Sequence, residues 1–208
     1  GNTGETTPIA NASGEGGTQT DINSRRTSLV ERAKALGYTD LRQFNIQNAI
    51  EGGKTEEEKQ LLKDSSDHWV EVVALTDLNQ IASLNDTDFG IWVKANDVQR
   101  NDLGNVNSEN DLKKATDRVK ILRQRGLQKQ ADTEYENLKR SVKKDDWTID
   151  SWRDRFDEDV TQEEIDATNQ ESKSFNDNLA KVLDELANET PPTSPTLPNP
   201  EPTQQLES

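Results

Sequence analysis

Apolar side chains in this sequence fall at three- and four-residue intervals between about residue 24 and residue 189, and few lie outside that stretch. Positions three and four apart share one face of an α-helix, so this spacing is the repeat of helices laid on a core. Apolar material is scarce: 29% of the 208 residues are hydrophobic and 5% aromatic. Ordinary globular chains hold about 45–50% apolar residues, glycine included. Any core is therefore small or elongated, and the two ends have almost nothing to bury against the entropy of ordering.

The expected fold is mainly α, a small multi-helix bundle over residues 24–189 with disordered tails at both ends. Residues 1–23, rich in Gly, Thr, Ser and Asn, read as a flexible tether. Residues 190–208 hold six of the seven prolines and read as an extended, partly polyproline-like tail. No apolar run approaches the roughly 20 residues that span a bilayer.

Within the body, Leu29, Val30, Ala33 and Leu36 mark a first helix over residues 24–36, which Gly37 stops. Thr39 or Asp40 can cap a short helix presenting Leu41, Phe44 and Ile50. Thr55 and Glu58 have capping-box spacing and open a helix whose stripe is Leu61, Leu62, Ser65, Trp69, Val72 and Val73. Residues 77–84 suggest another short helix, and residues 85–104 leave strand and helix open.

The clearest unit is an antiparallel αα-hairpin over about residues 108–144. Ser108 is its N-cap, Leu112, Ala115, Val119 and Leu122 keep the rhythm, and Gly126 stands where a left-handed C′ residue belongs. Leu127, Ala131, Tyr135, Leu138 and Val142 form the returning stripe. Thr148 or Asp150 can cap a helix bearing Ile149, Trp152 and Phe156. Thr161 and Glu164 open a long C-terminal helix, about residues 162–188, with Ile165, Thr168, Ser172, Phe175, Leu179, Val182 and Leu186 in heptad-like alternation. The polar Thr168 and Ser172 favour packing on its own domain, with self-association through a coiled-coil seam as the alternative.

Charge is distributed unevenly. Between residues 111 and 144, eleven basic residues face five acids and give +6, which leaves −21 for the remainder of a chain of net charge −15. The plainest account is internal compensation by acids such as Asp157, Glu158, Asp159, Glu163, Glu164 and Asp166. The functional alternative makes Lys113, Lys120, Arg123, Arg125 and Lys129 a docking face for a protein or other macromolecule with an acidic surface. The acidic remainder, and the lack of aromatics other than Tyr135 among these cations, argue against nucleic acid. Trp147 and Trp152 are five apart on one short segment and cannot share a narrow stripe, so one of them is a candidate binding anchor.

Several chemistries are excluded. Without cysteine there is no disulfide framework, thiolate zinc site or thiol nucleophile. His68 is the single histidine, reads as a surface or boundary residue, and is accompanied by no nucleophile motif. The acid-rich stretch from Asn85 to Gly90 would place Phe89 at a calcium-loop ligand position, where it cannot ligate. No catalytic, metal or cofactor-binding residues are assigned. The expectation is a non-catalytic helical binding domain, exported or held at a cell envelope in preference to cytoplasmic. A structural or assembly component such as a virion protein is the alternative.

Overall fold

The first helix starts with Thr18, because the apolar rhythm of Leu29 and Ala33 continues backwards to Ile22, which is fully buried. It therefore begins inside the stretch expected to be tether. The computed structural model describes residues 18–189; the expected tether up to residue 17 and the proline-rich tail from residue 190 lie outside the described residues. The described residues gather into two compact units, one up to Asn96 and the other from Asp97 onward. Among the described residues there are nine helices, and none is long and apolar enough to cross a membrane.

The first unit contains α1 (Thr18–Ala35), α2 (Leu41–Asn48), α3 (Glu56–Val73), α4 (Leu78–Ala82) and α5 (Asp86–Ala95). Gly37, at φ 98°, ends α1 with the Gly37 N–H bonded to Lys34 O and the Tyr38 N–H to Ala33 O. That is the Schellman arrangement, which needs a left-handed residue at its centre. Asp40 caps α2 by accepting from the Gln43 N–H, and Thr55 with Glu58 forms the expected capping box on α3. Leu29, Ala33, Leu41, Phe44 and Leu61 form one core, with the Tyr38 ring set edge-on against Phe44 at 5.1 Å.

Two expected core positions in this unit are solvent-facing. Ile50 is 94% exposed, because α2 ends at Asn48 and Ile50 lies in the turn beyond it. On α3 the buried set is Leu61, Ser65, His68 and Val72, a 4-3-4 rhythm that leaves Trp69 half-exposed, one residue off the stripe. His68 is thus a buried residue and not a boundary one. The ambiguous stretch around Phe89 is helical, forming α5 behind an Asn85 cap.

The second unit contains α6 (Glu109–Gln124), α7 (Gln128–Lys139), α8 (Ile149–Phe156) and α9 (Gln162–Asn188). Helices α6 and α7 are the expected hairpin, started by the Ser108 cap and turned at Gly126. Gly126 has φ 79°, with the Leu127 N–H on Leu122 O and the Gly126 N–H on Arg123 O. A Cβ at Gly126 would meet nothing within 4 Å, so only backbone strain opposes a larger residue. Gly126→Ala should therefore cost about 1–2 kcal/mol, read as a lower urea midpoint for this unit with an unchanged slope.

The apolar stripe of α9 is turned onto the hairpin. Phe175, Leu179 and Leu186 share a core with Leu112, Ala115, Val119 and Leu138, completed by Val98 and Val106 from the loop that enters the unit. Val142 is 62% exposed, because α7 ends at Lys139 and the residues beyond it no longer follow the helical rotation.

Candidate functional site

The basic residues singled out by charge do not form one open face. Lys120 pairs with Glu185 of α9, whose hydrogen bond pushes the Lys120 ammonium above the ordinary lysine value against the opposing effect of partial burial. Arg123 donates to the Leu186 carbonyl at 2.8 Å and to Glu189 Oε1 at 2.9 Å. Both cations sit at the C-terminal end of α9, where the unpaired carbonyls of a helix attract positive charge. Lys113 reaches Asp117 on its own helix at 2.9 Å, Arg125 lies half-buried at the hairpin turn, and Lys129 is exposed in the first turn of α7. The hairpin cations are compensated from within their unit: Glu185 and Glu189 at the end of α9 take Lys120 and Arg123, while Asp117, Glu136 and Asp146 take Lys113, Lys139 and Lys144.

Trp147 and Trp152 are brought together. Their ring centroids lie 5.1 Å apart at 74°, and Phe156 joins them at 5.4 Å from Trp147 and 4.4 Å from Trp152. Trp152 and Phe156 stand on α8, a helix none of whose residues is buried, and Trp147 lies just before it; the two tryptophans are half-buried and Phe156 is 41% exposed. Five residues apart on a continuous helix, the two indoles would point different ways. Trp147 escapes that constraint because it precedes the Thr148 cap, on extended chain.

That extended chain is pinned to α9 by two asparagines one heptad apart. The Asn169 side chain accepts from the Trp147 N–H and donates to the Trp147 carbonyl, both at 2.8 Å. Asn176 does the same for Lys143, also at 2.8 Å in each direction. Each amide replaces a missing backbone partner, which an irregular segment otherwise lacks. The segment before α8 is thereby set against α9. Beyond the trio, α8 ends at Asp157 in the left-handed region (φ 55°), which aspartate tolerates better than most residues.

The first unit holds a different kind of site. Asp88 of α5 is completely buried and takes Arg26 of α1 at 2.7 Å and His68 Nε2 of α3 at 3.0 Å. Asn85 adds a side-chain hydrogen bond at 3.2 Å and accepts the Asp88 N–H at 2.8 Å. Burial favours the neutral acid, but the hydrogen bonds from His68 and Arg26 outweigh it and hold the Asp88 carboxyl below its ordinary value. The His68 ring is 1% exposed, so it presents no nitrogen to a molecule in solvent. The group ties three helices together. Beside it an open cleft of about 410 Å³ is lined by Asn23, Arg26, Thr27, Asn85 and Asp86 among others. Among the described residues, no group of three or more His, Asp or Glu side chains could hold a metal ion.

Asn169, Asn176, Phe156 and Asp88 escape notice in the sequence as site-forming residues. The asparagines carry a weak signal: both lie on α9 seven residues apart, the spacing of one helix face. No protein-family model matches this chain, and no curated protein or solved structure matches it.

Proposed function

We propose that this chain is a non-catalytic binding protein that meets a macromolecular partner through the aromatic face of α8. The observation that carries the reading is the mutual ring contact of Trp147 with Trp152 and Phe156 of α8, a helix with no buried residue. Large aromatics dominate binding energy where they gather on a surface, and a soluble chain with only 5% aromatic residues has few to leave outside a core. The pinning of Trp147 by Asn169 supports the same reading, because a docking face held rigid before contact loses less freedom on binding.

The buried state of His68 and Asp88 supports binding over catalysis, since this pair works as a tie between helices. The reading is tested by stability. If the trio serves partners and not the core, Trp152→Ala combined with Phe156→Ala should cost no more than about 1 kcal/mol in urea unfolding. A loss of about 3 kcal/mol or more, the scale of a core aromatic, would make the trio part of the core and remove the proposal.

A further inference from the structure

The charge around the trio identifies the kind of partner, an inference that rests on the docking face proposed above. Residues 145–159 hold seven acids, Asp145, Asp146, Asp150, Asp154, Asp157, Glu158 and Asp159, against the two bases Arg153 and Arg155. All seven acids are exposed, Asp150 at 90% and Asp159 at 98% of their side chains. The rings themselves already hold cations: the Lys144 ammonium lies 5.2 Å from the Trp147 centroid and the Arg155 guanidinium 4.9 Å from that of Phe156. Aromatic faces attract cations, and a rim of carboxylates raises the local concentration of a positively charged partner. The hairpin cations Lys120 and Arg123 are engaged with Glu185 and Glu189, and although Lys144 pairs with Asp146 and Arg153 with Asp150 and Asp159, the seven acids outnumber the three cations Lys144, Arg153 and Arg155 among them.

We infer that the α8 face docks an arginine- and lysine-bearing segment of another protein. An incoming guanidinium stacks on the Trp152–Phe156 pair, and the rim acids hold its neighbours. This is the reverse of the acidic partner that the basic hairpin suggests from sequence. The chain's own proline-rich segment is a poor occupant by charge, since residues 190–208 contain Glu201 and Glu207 and no Lys or Arg.

The test uses the full chain and a fluorescently labelled nona-arginine peptide, with nona-lysine and a peptide of residues 190–202 as comparisons, read by anisotropy. Nona-arginine should bind more tightly than nona-lysine, because the planar guanidinium stacks where an ammonium does not. The Trp152→Ala, Phe156→Ala chain should bind nona-arginine about tenfold or more weakly, with all seven acids still in place. Equal binding by that variant would show charge attraction alone and overturn the inference. So would tighter binding of the 190–202 peptide, which would make the occupant the chain's own tail. Absence of nona-arginine binding to a chain whose double variant still unfolds at the parent's urea midpoint would refute the cationic partner while leaving the docking face standing.

Discussion

Replacing Asp88 with alanine should lower the stability of the first unit by about 3–5 kcal/mol, the cost of breaking a buried ion pair from one side. The carboxylate is 0% exposed and is shared by Arg26, whose side chain is 16% exposed, and by His68 at 1%. Its removal leaves a largely buried guanidinium and a buried imidazole without the carboxylate they share, so their desolvation is no longer offset by it. The unfolding of this unit can be followed by itself. Trp69 and Trp92 belong to it, and Trp147 and Trp152 to the other, so Trp147→Phe with Trp152→Phe confines the fluorescence signal to the first. A loss below about 1 kcal/mol, as for an exposed pair, would mean the tie does not hold the three helices.

The same carboxylate sets an acid limb. Its folded pKa lies below the ordinary value of 3.8, so its contribution is complete above that value and disappears as pH falls through the depressed folded one. The Asp88→Ala chain should therefore show a flatter stability profile below pH 4 than the parent. An identical slope for the two would show that Asp88 is protonated as readily folded as unfolded.

Much of the fold could be read from local signals, because helix ends and stripes are written in residues close together in sequence. The capping boxes at Thr55 and Thr161, the Ser108 cap and the Gly126 turn are where the spacing places them. Errors arise where a stripe is extended past a helix end, as at Ile50 and Val142, or where a large apolar residue is preferred to a polar neighbour, as at Trp69 over His68. The burial of His68 depends on Asp88 and that of Asp88 on Arg26, partners 20 and 62 residues away in sequence. Periodicity carries no information on such pairings. The seam between Asn96 and Asp97 is hidden for a similar reason: it falls within the 85–104 stretch, where strand and helix patterns were equally good. In the candidate site, Trp147 and Trp152 were legible as residues but their contact was not. It depends on Trp147 lying before the cap and on Asn169 reaching back from α9.

The long C-terminal helix supplies the second large effect. Phe175→Ala should destabilise the second unit by about 3–5 kcal/mol, the range for removing a buried aromatic ring. The Phe175 ring is 2% exposed, lies in the core with Leu112, Val119 and Leu138, and has the Lys143 ammonium 4.3 Å from its centroid. A heptad-like helix of 27 residues could instead use that stripe to meet a second copy of itself. The two arrangements respond differently to concentration. A stripe turned onto its own hairpin gives a melting temperature independent of protein concentration, whereas a dimer seam gives one that rises with it. The parent should melt at the same temperature across a hundredfold dilution, and Phe175→Ala should lower that temperature by the same amount at each concentration. A midpoint that climbs with concentration in the parent, and is flattened by the substitution, would place Phe175 between two chains and not within one.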